Sequence, residues 1–458
     1  MFEGVCAGFN DFGTARVFAR DGGQHGWGAL HSSSLHHVRH RTNAAQLKTH
    51  LSALNLNYTP SKKWRHTGFL IASASDNELG SNSLRTYLNA GDNVQEKLNS
   101  VSQVENKSAL GKYTLTFTPK DETYVKYSLF GKISEIANSN QQQSDFGQNL
   151  QNIASLNTRT PYSLQQKLEW FHAPSEQHVF STEINWESKF ADPLFDLQTN
   201  LRPLLGLYAI PDAQTYRLFQ SQELRTNTLE GAFNYYYILN PTNHLNWSLG
   251  YQNFSQSLTG SLRQENSTQP FDAFKNDNEF GLQDVYLGTT WKTKWKKGVL
   301  SPSVFLHRYA WRDQQIAGQL EYSKVLALPG MYAKWDIKSN RSLTYRFQTE
   351  ANFMDIQKLA QGLVLQDYNA VFQGNRALDN GLFDTHTLSY THFDMFSGLT
   401  MFGNLNYQRK RNEITTTTDF AGINRLLSLI NIQPVNETLN GDIRLDKALN
   451  KLKQKSID

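Results

Sequence analysis

Apolar and polar residues alternate one for one over much of the chain, the period of a strand that meets two different media on its two faces. From His244 to Gln252, Leu245, Trp247, Leu249 and Tyr251 fall on one face and Asn246, Ser248, Gly250 and Gln252 on the other. The pattern recurs with Tyr113, Leu115 and Phe117 against Thr114, Thr116 and Thr118, and with Leu343, Tyr345 and Phe347 against Thr344, Arg346 and Gln348. It recurs again with Leu399, Met401, Leu405 and Tyr407 against Asn404, Asn406 and Gln408. Each run is about ten residues or more, and a tilted strand crosses a hydrocarbon core in roughly 9–11.

Short turn-forming stretches separate these runs: Pro60-Ser61-Lys62-Lys63, Pro119-Lys120-Asp121-Glu122, Pro174-Ser175-Glu176, Pro241-Thr242-Asn243, Lys296-Lys297-Gly298, Lys338-Ser339-Asn340 and Phe396-Ser397-Gly398. The segments joining one hairpin to the next, near 91–106, 139–160, 190–220, 258–279, 313–318, 350–380 and 414–433, read as long, polar and irregular. Tight turns should therefore gather at one end of the strands and long loops at the other. That asymmetry belongs to an up-and-down transmembrane β-barrel. A soluble sandwich has strands of about 5–6 residues and short connections. A propeller fits four short strands into about 40–50 residues, where this chain fits two long ones.

The expected fold is all-β, a transmembrane antiparallel up-and-down β-barrel, partial, with about 14–16 strands. Seven hairpins and one unpaired segment from Glu437 to Asp446 give an odd count, whereas single-chain bacterial barrels have even ones. The expectation is thus a portion of a larger barrel, a C-shaped sheet open between the regions of Leu51 and Leu445.

Composition agrees with this reading. Only 39% of residues are hydrophobic, and no run approaches the ~18 apolar residues of a membrane helix. Half of every barrel strand faces water, which hides its membrane signal. Aromatics reach 12%, and Tyr58, Trp64, Tyr124, Trp291, Trp295 and Trp335 lie beside tight turns, where an interfacial girdle would form. The net charge of +4 is too small and too dispersed for nucleic acid. The single cysteine, Cys6, excludes an internal disulfide, and a barrel closes by backbone hydrogen bonds instead.

Three segments divide the chain: an irregular Gly/His-rich stretch over 1–43, the barrel portion over 44–446, and an irregular tail over 447–458. The first has no basic segment followed by an apolar core, so it does not read as a secretory signal. His31, His36, His37 and His40 lack carboxylate or thiolate partners at ligand spacing, and no metal site is expected there.

The stretch from Leu343 to Tyr407 carries a resemblance. It reads Leu343-Thr344-Tyr345-Arg346-Phe347, then Glu350-Ala351-Asn352-Phe353-Met354-Asp355-Ile356-Gln357-Lys358-Leu359, then the run Leu365 to Leu378, then Thr387-Leu388-Ser389-Tyr390. It resembles the barrel portion of TonB-dependent outer-membrane receptors, in detail over these residues and in architecture from about Leu47 to Asp446. The resemblance implies a Gram-negative outer-membrane location among outer-membrane lipid, a barrel of about 22 strands with a plug inside it, and a TonB box reaching the inner-membrane energy complex. Neither a plug pattern nor a TonB box precedes the first strand, and the closing strands are missing. The chain therefore reads as a fragment whose contact with the TonB complex runs through the plug of a parent protein.

No G-x-S-x-G, H-E-x-x-H, P-loop or paired-cysteine motif occurs, so neither an enzyme nor a cofactor is expected. Asp121 and Glu122 read as a solvated turn. The candidate ligand-binding residues are Tyr368, Phe372 and Asn375, in an extracellular loop where the aromatics offer faces and Gly374-Asn375 suggests a positive-φ turn at the apex; the competing reading, which weighs at least as much, is that they pack the loop against the barrel wall. The function this supports is import of a bulky nutrient, such as an iron chelate, a vitamin or a glycan. The alternative is an adhesive or structural barrel without transport.

Overall fold

In the computed structural model, which describes residues 46–87, 94–147, 150–394, 398–432 and 435–447, the alternating runs become strands much longer than a membrane crossing requires. In chain order they are β1 (Gln46–Ser61), β2 (Trp64–Tyr87), β3 (Val94–Lys120), β4 (Thr123–Asp145), β5 (Leu150–Arg159), β6 (Tyr162–His172) and β7 (His178–Ala191). There follow β8 (Leu194–Thr199), β9 (Tyr216–Asn240), β10 (Asn243–Gln264), β11 (Asn276–Trp295), β12 (Gly298–Gln315), β13 (Gly318–Lys338) and β14 (Arg341–Asn352). One helical turn, α1 (Ile356–Leu359), precedes β15 (Val364–Asp367) and β16 (Ala370–Gln373). The chain continues through β17 (Gly381–Asp394), β18 (Leu399–Arg411), β19 (Glu413–Ala421), β20 (Asn424–Ile432) and β21 (Asn436–Lys447). The expectations for residues 1–43 and 448–458 lie outside the described residues; Lys447, expected in the tail, closes β21.

Seventeen strands form one sheet with antiparallel neighbours throughout. β5 and β6 follow one another down β4, and β7 and β8 follow one another up β9, so the wall has fifteen staves, within the expected range. Both breaks occur at prolines, which cannot donate to a ladder. Asp192 repairs the gap: Thr160 donates its backbone N–H and its hydroxyl to the Asp192 carboxylate, each at 2.7 Å. The sequence reading placed Asp192-Pro193 in a loop, whereas the structure places it inside the wall.

The tight turns all lie at one end, and the connections between hairpins at the other. Of the seventh turn only Gly398 is described, with φ +60°. The connections after β2, β8, β10 and β12 are shorter than expected, whereas those from β14 to β17 and from β18 to β21 keep about their expected length. β3 has 27 residues and β2 has 24, more than twice the ~10 that span a bilayer. The polar stretches 94–106 and 139–145, read as loop, are strand, because a paired strand in water tolerates polar residues on both faces and keeps its ladder on both sides. Between β12 and β13 only residues 316 and 317 intervene.

Faces follow the alternation. Leu249 is 53% exposed and its neighbour Ser248 6%, so the apolar residues point out of the wall and the polar ones in. Trp247 and Tyr251 are likewise exposed, and the outward row continues across the ladder through Phe233, Leu287 and Leu306. Trp64, Trp291, Trp295 and Trp335 are exposed near the turns, as a girdle requires. Tyr124 differs: it alternates with outward Val125 and stacks on Phe171 at 5.2 Å on the inner face. Inside, the ring of Tyr286 lies over its cross-strand partner Gly250, where a Cβ would overlap it, a covering that restores packing at a strand glycine.

Among the described residues β1 pairs only with β2 and β21 only with β18. Both are edge strands; Ile443 on β21 is 74% exposed.

Candidate functional site

The chain between β14 and β17 and the hairpin β19–β20 do not extend the wall. They fold back inside it at the loop end and make a second sheet in the order β15-β16-β20-β19, with β16 and β20 parallel. Two apolar clusters bind this cap to the lumenal wall. In one, Met354, Ile356, Leu359 and Leu378 meet Phe254, Phe280 and Trp311 of β10, β11 and β12. In the other, Leu365, Tyr368 and Val371 meet Ile153, Leu197, Leu218 and Leu262 of β5, β8, β9 and β10, with Leu204 and Ile210 from the connection after β8. α1 is started by Asp355, whose carboxylate accepts the backbone N–H of Lys358 at 3.1 Å.

Where the cap's backbone leaves its own ladders, amide side chains of the wall complete it. Gln220 accepts from the Leu365 N–H at 2.7 Å and donates to the Leu365 carbonyl at 3.0 Å. Gln315 donates to the Leu359 carbonyl and accepts from the Gln361 N–H. Gln256 and Asn276 accept from the N–H groups of Ile356 and Gly362. A primary amide offers one acceptor beside one donor, as a neighbouring strand does, so it completes a backbone that has left its own ladder.

Charged pairs add three anchors. Arg376 donates from Nε to Asp313 Oδ2 at 2.5 Å and from Nη2 to the carbonyls of Asp313 and Gly318. Lys324 donates to Asp379 at 2.9 Å and to Asn380 at 2.8 Å. On the opposite wall Glu96, fully buried, accepts from the Tyr368 hydroxyl at 2.6 Å and the Ser144 hydroxyl at 2.5 Å, with Arg85 at 3.6 Å.

The three residues singled out in the sequence all belong to this cap. Tyr368 is 1% exposed and bound to Glu96. Phe372 sits against the first apolar cluster. Asn375 donates from Nδ2 to the Leu429 carbonyl at 2.9 Å and accepts from the Ala377 N–H. The expected positive-φ turn at Gly374-Asn375 does not form, since neither residue is among those with positive φ. Gly374 is required for close approach instead: a Cβ there would lie 2.6 Å from the backbone of Lys358 and Ala360, whose carbonyls accept the N–H groups of Asn375 and Gly374. Sequence reasoning missed Asp313, Glu96 and Lys324, which lie on strands remote in sequence, and Arg376, which lay within the quoted run. Below the cap, His307 Nδ1 and Asp284 Oδ2 form a buried pair at 2.8 Å, with the His307 ring between those of Tyr286 and Tyr309.

Two consequences can be measured. Tyr368→Phe should lower the cap's local stability by about 1.5–3 kcal/mol, the range for a hydrogen bond to a charged group, read as faster amide exchange over 364–373. The second concerns pH. Burial pushes the Asp367 carboxyl above the usual carboxylate range, Glu96 adds to this, and the Tyr368 N–H with Arg425 and Arg85 opposes it. A raised folded-state pKa contributes stability that is complete below the unfolded value of about 3.9 and is lost as pH rises through the folded value. Exchange over 364–373 should therefore speed up with rising pH beyond its intrinsic dependence, and Asp367→Asn should abolish that excess.

No family model and no curated protein matches the chain. Solved structures do. The copper transporter OprC has a TM-score of 0.51 and 11% identity over 90% of this chain and 60% of its own. The ferric citrate transporter FecA in its unliganded form has a TM-score of 0.51 and 10% identity over 87% and 55%. The hemophore receptor HasR of Serratia marcescens, solved with its hemophore HasA and heme, has a TM-score of 0.50 and 10% identity over 88% and 61%. The chain thus spans about three fifths or less of the length of these structures. At such identities the likeness is one of fold.

Proposed function

Because the chain carries the outer-membrane β-barrel fold of TonB-dependent receptors, we propose that it is wall and outer cap of a Gram-negative importer of a bulky nutrient, such as an iron chelate, a vitamin or a glycan. The observation that carries this reading is the cap itself. An adhesive barrel has no use for loops folded inward onto the lumenal wall, whereas an importer needs an ordered surface at the outer mouth where ligand is first held. Tyr368, Phe372 and Asn375 would serve that surface by fixing its shape, and Phe372, partly exposed where Tyr368 and Val371 are buried, is the one of these that a ligand could touch. Energy would reach it from the TonB complex through a plug domain of the parent protein. Solved relatives in fold are named as transporters and receptors, which supports transport rather than catalysis.

The test is uptake. Cells lacking the gene should lose accumulation of one member of a panel of labelled iron chelates, vitamins and oligosaccharides, and cells lacking TonB should lose the same one. Uptake of the whole panel unchanged in both strains would favour the adhesive reading.

A further inference from the structure

The cap's small sheet has two outer edges, and the protein treats them differently. Along β15 the wall supplies the missing neighbour: Gln220 binds both the N–H and the carbonyl of Leu365, and the Leu363 N–H donates to the Ala273 carbonyl at 2.7 Å. β19, at the other edge, pairs only with β20. From Ile414 to Ala421 no backbone group finds a further hydrogen-bond partner among the described residues, neither in another strand nor in a side chain. In an antiparallel pair every second residue turns its N–H and C=O away from its partner, so about half of this stretch presents both groups on the side away from β20.

The strand is held firmly in that state. Nine successive residues pair with β20 without a shift of register, and Gly422 at φ +62° closes the turn between them. Lys410 and Asn436 donate to Glu413 at 2.6 and 2.7 Å and pin its first residue. Ile414 packs against the apolar cluster that joins the cap to β10, β11 and β12. Beyond these anchors lie Thr415, Thr416, Thr417 and Thr418, β-branched, uncharged and half-buried or exposed. Open edges are ordinarily blunted by proline, lysine or a bulge, because their unpaired groups recruit other strands. β19 has none of the three.

We propose that β19 is a docking edge for an extended peptide, which joins the four-stranded cap sheet as a fifth strand and is held chiefly by main-chain hydrogen bonds. The edge stands inside the wall at its outer mouth, where a narrow extended chain fits and a second wall of long strands does not. Residues 414–421 give room for roughly seven residues of peptide at about 3.4 Å each. The uncharged threonines favour an uncharged, β-branched partner, since Thr–Thr pairs across a ladder are stabilising. The inference goes beyond import of a chelate, a vitamin or a glycan: it stands on the cap alone and requires no transport.

The probe is a fluorescent heptapeptide of alternating threonine and glutamine, capped at both ends and titrated into the full chain inserted in vesicles. Two further peptides carry backbone N-methyl groups, one on its even residues and the other on its odd residues. Only one edge of an added strand bonds β19, so one methylated peptide should bind roughly a hundredfold more weakly, as the loss of two or more backbone hydrogen bonds implies, and the other should bind like the parent. Bound parent peptide should slow amide exchange at every second N–H from Ile414 to Phe420 and leave the alternate ones, already bonded to β20, unchanged. Absence of binding by the parent peptide, equal binding by the two methylated peptides, or slowed exchange away from β19 would overturn the proposal. So would outward N–H groups of β19 that are already slow without peptide, as another segment of the chain would make them, or that slow with rising protein concentration, as a second copy would. Uptake is read separately, so failure here leaves the import reading untouched.

Discussion

Replacing Leu249 with arginine should destabilise the inserted wall by about 2–4 kcal/mol, the cost of an arginine on the lipid face near the bilayer midplane. The side chain stands on the outward face in a row with Phe233 and Leu287, its direct partners on β9 and β10's other neighbour, β11. No lumenal group is within reach of that face, so the new charge could be met only by bending toward an interface or by drawing water inward. Ser248→Ala, one residue away and pointing inward, supplies the control. It removes a hydroxyl that donates to Asn234 at 2.6 Å and should cost about 1 kcal/mol. Denaturant unfolding in vesicles separates the two. Similar losses at both positions would mean that the faces do not border different media.

Arg376→Ala should release the cap from β12 and β13 at a local cost of about 3–5 kcal/mol, the range for removing one partner of a buried ion pair. Arg376 is 10% exposed and Asp313 4%, and after the substitution the Asp313 carboxylate would keep, among the described residues, only the amide of Gln315. The carbonyl of Gly318 would lose its guanidinium donor as well. Limited proteolysis should then cut within 353–380 while the wall stays intact, because the wall's own ladder does not pass through Arg376. Arg376→Lys should restore the charge but not the three-point geometry, and it should fall between the two. Cleavage of the variant no faster than of the wild type would show that the apolar clusters alone hold the cap.

Much of this architecture is legible in single residues. The exchange of Leu249 for Ser248 between faces follows from period two, whereas the register that sets Leu249 opposite Phe233 and Leu287 is seen only in the ladder. Turns such as Lys296-Lys297 were visible because charged and glycine residues interrupt an apolar rhythm. The lengths of β2, β3 and β4 were not visible. Above the membrane both faces of a strand meet water, so Ser100, Gln142 and Asn99 carry no alternation, and only the pairing of Ser100 with Ser81 and Gln142 reveals strand. The cap was hidden for a related reason. Its stability comes from contacts far apart in sequence, Tyr368 with Glu96 and Arg376 with Asp313, and local pattern holds no record of them. Gly374 shows the limit well: glycine was read as a positive-φ turn, whereas the chain uses its missing side chain to bring β16's end against α1.

One face of this sheet meets lipid and the other does not, and spin labels placed singly from residue 244 to 252 in the inserted chain test this most directly. Accessibility to oxygen, which concentrates in hydrocarbon, should rise at 245, 247, 249 and 251 and fall at 246, 248, 250 and 252, with a water-soluble relaxant excluded from the odd positions. An oxygen profile without period two, or one with its maxima at the even positions, would contradict it.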